Sequence, residues 1–294
     1  MSYTNHSRSF KYNKYVYPVL SRRSKGISVG INLNPDKVCN FNCIYCQVDR
    51  KPVNSLSLRE RDRVRVGSFS DEKINLSLLS TELKETVDLV KTGQIFSIPP
   101  FDKIPSELRH LSDIAISGDG EPTTISRFYD VVEEIVRVKT TCFNDIKIVL
   151  ITNASGLNRS KVQDAVDLIY KHNGEVWAKL DAGSESYYKK VSRSNVSLQD
   201  IVRNIISTAQ KHPILIQSCF NKIDNIPPPP DEIERYSLLL KEITESGCTI
   251  RLVQIYTVAR PPTEHYVTPL SEAELTFIAR KVQEIANLPT EIYR

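Results

Sequence analysis

The chain has 294 residues, 40% of them apolar and 25% charged, which is length enough for one large domain or two small ones burying about three quarters of the unfolded surface. Disorder is thereby excluded as a general description. No window approaches the ~18 consecutive apolar residues of a membrane span, and the N-terminus lacks the apolar core of a secretory signal. A soluble, cytoplasmic protein with no membrane partner is expected. The net charge of +4 is unevenly spread: Arg8, Lys11, Lys14, Arg22, Arg23 and Lys25 fall in the first 26 residues, which hold no Asp or Glu.

Residues 1–26 therefore read as a basic arm ahead of a domain over 27–294. Such an arm suits a polyanion, since each neutralised phosphate releases counterions. The alternative is a solvated segment tied down by Tyr12, Tyr15, Tyr17 and Leu20. The first strand signal, Ile27–Leu33, leads into Cys39-Asn-Phe-Asn-Cys43-Ile-Tyr-Cys46. Six cysteines placed at random would give this CxxxCxxC spacing only ~0.0025 times per chain, so composition does not explain it. Zinc wants four ligands in paired spacings, and no second pair exists. A CxxC redox site would leave Cys39 without a role. An iron–sulfur cluster remains, with thiolates as its natural ligands. Three thiolates on a four-iron cluster leave one iron for a non-protein ligand.

A helical pattern at Leu78–Val90 precedes the second strand, Asp113–Ser117, which ends in Gly118-Asp119-Gly120-Glu121-Pro122-Thr123. The two glycines let backbone pass close to a ligand and Glu121 offers a carboxylate, whereas an ordinary tight turn is the simpler reading. A dinucleotide fingerprint is excluded, because Thr123 stands where its third glycine belongs. Helix Ser126–Val138 and strand Ile146–Thr152 follow, the strand closing on Asn153, either a ligand group or a local turn cap. After helix Arg159–Lys171, strand Glu175–Asp181 places Lys179 and Asp181 on one face, where a buried pair is costly unless it binds something or forms a structural bridge. Helix Leu198–Lys211, strand Ile214–Phe220, helix Asp231–Glu245, strand Arg251–Tyr256 and helix Ser271–Ala286 complete the pattern, and the chain then stops at Arg294. Gln217 with Cys219, and Gln254 with Tyr256, share strand faces that suit a substrate pocket, and Arg260 follows as an anchor for phosphate or carboxylate. The repeating βα unit demands a parallel sheet with right-handed crossovers. Ligands of such sheets gather at the carboxyl ends of strands, where the cysteines and the later candidates fall.

The CxxxCxxC motif with Tyr45 before its third cysteine, followed by the Gly-Glu-Pro turn after a strand, resembles the radical SAM superfamily. That resemblance implies an α/β fold of partial (β/α)6 barrel type with parallel strands, and one 4Fe-4S cluster on Cys39, Cys43 and Cys46. It implies S-adenosylmethionine on the open iron, its amino group held by Gly118, Asp119, Gly120 and Glu121, with Tyr45, Asn153, Lys179 and Asp181 as further cofactor-binding residues. Reductive cleavage would give a 5′-deoxyadenosyl radical, with flavodoxin or ferredoxin as the electron donor. Pro18–Asn32, Gln47-Val48, Lys179–Gly183 and Gln254–Pro262 resemble more narrowly the group related to wyosine-type tRNA-modifying enzymes. Those enzymes hold a second cluster on three cysteines N-terminal to the motif, and this sequence has no Cys before Cys39. RNA or a modified nucleotide is the first candidate substrate. The alternatives are an activase that installs a glycyl radical on a partner protein and a non-catalytic iron–sulfur redox sensor.

Overall fold

The computed structural model describes residues 10–48, 74–143 and 145–294, so Arg8 of the basic arm lies outside the described residues. The chain divides into two units, the first formed mainly by residues up to 175 and the second by 41–49, 152–159 and 176–294.

In the first unit, β1 (Val16–Ser21) and β2 (Gly26–Ile31) form an antiparallel hairpin, and β3 (Leu111–Ile116) and β4 (Lys147–Thr152) continue it in parallel. Three helices accompany these strands: α1 (Leu76–Lys91), α2 (Phe128–Cys142) and α3 (Ser160–Lys171). Asn75 caps α1 by accepting the Leu78 N–H at 3.0 Å. Leu79, Leu83, Val87 and Val90 then recur at helical spacing along its buried face. The same face carries Glu82, 4% exposed, whose carboxylate accepts the N–H groups of Lys14, Tyr15 and Val16 at 2.8, 2.9 and 3.1 Å. The start of β1 is thus tied to α1. Tyr15, Tyr17 and Leu20 of the arm are buried as expected, but Tyr12 is fully exposed and ties nothing down.

Ser28 of β2, Asp113 of β3 and Lys147 of β4 stand side by side in the register, and the row ends at Glu175, near the start of β5 (Gly174–Lys179), which pairs with Lys147 at 2.7 Å. Asp113 is 1% exposed, takes the Ser28 hydroxyl on Oδ1 at 2.5 Å and leaves Oδ2 without a partner. Burial raises its pKa, against the pull of Ser24, Ser28 and Lys147, while the Glu175 carboxylate adds to the rise. The folded state therefore holds this proton more tightly than the unfolded chain. Its contribution to stability is complete below the unfolded pKa near ~4 and is lost as pH rises from there through the raised folded value. Asp113→Asn is expected to flatten that part of the stability curve and to be the more stable protein at pH 7. Urea unfolding of both proteins between pH 4 and 7 checks this, and parallel curves would refute it.

In the second unit, β5 leads through α4 (Glu185–Ser192) and α5 (Leu198–Ala209) to β6 (Ile214–Cys219) and the short β7 (Asn221–Ile223). There follow α6 (Pro230–Glu245), β8 (Ile250–Tyr256), the short β9 (Val267–Pro269), α7 (Glu272–Ala286) and β10 (Thr290–Tyr293). Strands β5, β6, β8 and β10 run parallel, while β7 and β9 form a separate antiparallel ribbon. Ser271 and Glu274 make a full capping box at the start of α7.

The fold is α/β, with an eight-stranded, mostly parallel sheet in the order β1-β2-β3-β4-β5-β6-β8-β10. The six expected strands and six expected helices all form, with shifted ends. Among the described residues five strands or α-helices are additional: β1, the short β7 and β9, the eight-residue α4, and β10, which occupies the stretch after the last expected helix. Among the described residues no helix is long and apolar enough to cross a membrane.

Candidate functional site

The residues singled out in the sequence collect into one group in each unit. In the first unit, the peptide leaving β2 carries Asn32 and Asn34, 3% and 2% exposed. Asn32 Oδ1 accepts the N–H of Asn34 at 3.0 Å and that of Asp119 at 3.1 Å, and its Nδ2 donates to Asp119 Oδ2 at 2.7 Å. The Gly118–Glu121 turn is thus strapped to the peptide that leads to Cys39. The glycines are required here by close approach: a Cβ on Gly118 would stand 2.2 Å from Asn32 Oδ1, and one on Gly120 only 2.1 Å from the Val38 carbonyl oxygen. Glu121 is 3% exposed, and its Oε1 accepts the Thr123 N–H at 3.1 Å and hydroxyl at 2.6 Å, capping the 3-10 turn Pro122–Thr124. Beside Gly120, Asn34 Oδ1 is buried with no hydrogen-bond partner. An orphaned amide oxygen of this kind is costly unless something fills the need.

In the second unit, the segment from Phe41 to Val48 is held from two sides. The last carbonyls of α4 accept its amides, Ser192 that of Asn42 at 3.2 Å and Val191 that of Ile44 at 2.9 Å. Phe41 meets Tyr188 of α4 edge to face at 6.2 Å, and Ile44 is buried. Cys46 donates its N–H to the Cys43 carbonyl at 3.0 Å, closing a turn between the two cysteines, and its own carbonyl accepts the Thr263 N–H at 3.2 Å. Gln47 and Arg260 exchange hydrogen bonds: Gln47 Nε2 donates to the Arg260 carbonyl at 3.1 Å and the Arg260 guanidinium donates to Gln47 Oε1. Arg260, expected as a substrate anchor, is instead engaged with the residue that follows Cys46.

Tyr45 turns inward from this segment and donates its hydroxyl to Asp181 Oδ2. Asp181 Oδ1 accepts the Lys179 ammonium at 3.3 Å and the Cys219 N–H at 2.7 Å, and Lys179 also donates to the Tyr256 hydroxyl at 2.7 Å. The ammonium lies 5.0 Å from the centre of the Tyr45 ring and 5.2 Å from that of Tyr256, within cation–π range. Burial is the largest single influence on the Lys179 pKa and lowers it, but Asp181, Tyr256 and Cys219 together outweigh it and the value is raised. Tyr45 is raised by burial and then by the Asp181 charge, so its phenol stays neutral and donates. Tyr45, Lys179 and Asp181 therefore form one network, to which Tyr256 belongs. Gln217 donates to Gln254 at 2.7 Å on the same row of strands, and both are buried. Asn153 takes the Ser155 N–H at 3.0 Å and hydroxyl at 2.6 Å on its own Oδ1, an Asx turn closing β4.

All six cysteines carry thiols, and those at 39, 43 and 46 are half-buried. Cys39 belongs to the first unit and Cys43 and Cys46 to the second. Among the described residues no group of three His, Cys, Asp or Glu is gathered for a metal ion. Sequence reading passed over Asn32, Asn34 and the Gln47–Arg260 exchange. Asn-x-Asn directly after a strand was the available signal for the first two, since asparagine side chains bond their own backbone two residues on.

No family model matches the chain. It is 25% identical over 276 residues to a UPF0026 protein of Methanocaldococcus jannaschii, covering 91% of this chain and 70% of that one. It is 29% identical over 192 residues to a GTPase Obg of Brachyspira hyodysenteriae, covering 65% of this chain but only 22% of that protein. Among solved structures it is similar to an archaeal TYW1, at 13% identity and a TM-score of 0.45, over 88% of this chain and 72% of that one.

Proposed function

We propose that this chain is a radical SAM enzyme in which Cys39, Cys43 and Cys46 hold one 4Fe-4S cluster and leave one iron open to S-adenosylmethionine. Bound together and reduced, these groups supply a 5′-deoxyadenosyl radical that takes hydrogen from a substrate. The observation that carries the reading is the mounting of the cysteine segment. The turn bearing Cys43 and Cys46 is pinned through backbone amides and carbonyls at Asn42, Ile44 and Cys46. The donor set fits the cluster in kind, since thiolates are its usual ligands. The orphaned Asn34 oxygen beside the Gly118–Glu121 turn supports a ligand with hydrogen-bond donors there, which the amino group of S-adenosylmethionine provides. Asp119 and Glu121 add carboxylate charge at that turn. Asn153 closes a strand end with polar groups suited to a ribose, and the Tyr45–Lys179–Asp181 network fixes a neutral phenol and an ammonium for the cofactor. In this reading a flavodoxin or ferredoxin delivers the electron in the cytoplasm, residues 27–294 form the catalytic domain, and the basic arm directs the enzyme to RNA or a modified nucleotide.

The test is made without oxygen. After reconstitution with iron and sulfide, the protein is given dithionite and S-adenosylmethionine, and 5′-deoxyadenosine is sought by chromatography. The expected result is product from the wild type and from Cys248→Ala, a cysteine outside the motif, with none above background from Cys43→Ala. A well-formed cluster that yields no product with chemical or biological reductants would overturn the enzymatic reading in favour of a sensor. A normal cluster spectrum in Cys43→Ala would overturn the ligand assignment.

A further inference from the structure

The α4 side holds the segment through backbone carbonyls, whereas the clasp on its Cys46 end is made in part by a charged side chain, the Arg260 guanidinium. Arg260 engages Gln47 through its guanidinium and accepts from it through its backbone carbonyl, and three residues further on Thr263 bonds the Cys46 carbonyl. These contacts join the loop after β8 to two consecutive residues of the cysteine segment at three points. Arginine stays protonated at any working pH, so the charge is fixed. We propose that Arg260 is a positioning residue for Cys46 that also sets the reduction potential of the cluster carried there, its charge favouring the reduced, more negative form. The inference rests on the cluster reading above. Its physical basis is that the potential of an iron–sulfur centre follows the charge and hydrogen bonding around its sulfurs, and that surrounding contacts orient the ligands themselves.

The two parts of the role separate by substitution. Arg260→Gln removes the charge, Arg260→Lys keeps it but loses the planar fork, and Gln47→Ala removes the partner while leaving the charge in place. Each protein is reconstituted anaerobically, its iron and sulfide content measured, and its cluster titrated by electron paramagnetic resonance at controlled potentials. In Arg260→Gln the ratio of reduced to oxidised cluster at a fixed potential is expected to fall about tenfold, equal to 59 mV for one electron. Arg260→Lys and Gln47→Ala are expected to keep the wild-type potential while taking up less iron per chain. Arg260→Gln with wild-type potential overturns the electrostatic role, and full iron content in Gln47→Ala overturns the positioning role. If Arg260→Gln fails to fold, Arg260→Lys decides, since a displaced potential there contradicts a role carried by charge. A wild-type protein that takes up no cluster overturns the functional reading itself, and is told apart because no variant then differs from it.

Discussion

Replacing Glu82 by Ala is expected to cost the fold about 3–5 kcal/mol, because it removes an acceptor shared by three backbone amides and each buried donor left unpaired costs about 1–3 kcal/mol. Its carboxylate takes three consecutive backbone N–H groups, those of Lys14, Tyr15 and Val16, at the start of β1. Hydrogen bonds to a charged acceptor stabilise by ~1.5–3 kcal/mol each, but three bonds sharing one carboxylate do not add in full. Without Glu82 those amides either stay buried and unpaired or draw water in by fraying the strand. Asn13, which donates to the Val16 carbonyl at 2.9 Å and to the Thr86 hydroxyl at 3.2 Å, does not replace the lost acceptor because its contacts there are those of a donor. Glu82→Gln keeps one carbonyl acceptor and should lose roughly half as much. Urea unfolding at pH 7 measures both, and a loss within ~0.5 kcal/mol for Glu82→Ala would show that β1 is held by its apolar residues alone.

That contact also marks where sequence reading stops. The central strands were legible because Ile, Val and Leu alternate or run together between turn residues, and the helices because their apolar positions recur at 3.6-residue spacing behind serine caps. β1 was hidden by Pro18, which argues against a strand. The structure resolves this by placing β1 first in the sheet order, on an edge, where one side of a strand needs no donors. Helix α4 was hidden by its shortness and by a charged, polar sequence, although Ser184 caps it by accepting the Tyr187 N–H. β10 has four residues, too few for a period to show. Motif and spacing singled out the cysteines, the Gly-Glu-Pro turn and the shared face of Lys179 and Asp181 as candidates. No local pattern could announce that Tyr45 reaches Asp181 across 136 residues, or that Gln47 reaches Arg260 across 213. Such pairings are products of tertiary folding and leave no periodic trace.

Asp181→Ala should be as damaging as the loss of Glu82, for a different reason. The side chain of Asp181 is 6% exposed and that of Lys179 is 18% exposed, so removing the carboxylate leaves an ammonium largely out of water, met by the Tyr256 hydroxyl and the faces of Tyr45 and Tyr256 but by no counter-charge among its described contacts. It also orphans the Cys219 amide and the Tyr45 phenol. Stranding one member of a buried pair costs about 3–5 kcal/mol, mostly the penalty of the charge left behind. The double substitution Lys179→Met with Asp181→Ala tests that origin, because it removes the stranded charge while keeping volume. The pair should recover at least about 1–2 kcal/mol relative to the sum of the single changes. Strict additivity would mean that Lys179 and Asp181 do not stabilise each other. The pH dependence of Asp181→Ala gives a second check. With the carboxylate gone, burial is left as the leading influence and lowers the Lys179 pKa in the folded state. The variant then carries its full penalty at neutral pH and regains stability as pH rises through that lowered value. Tyr45 sits between Ile44 and Cys46, so the same substitution frees the inward anchor of the cysteine segment. On the proposed cluster reading, iron uptake should therefore fall with stability in Asp181→Ala and remain low in the double variant, which restores the charge balance but not the Tyr45 contact.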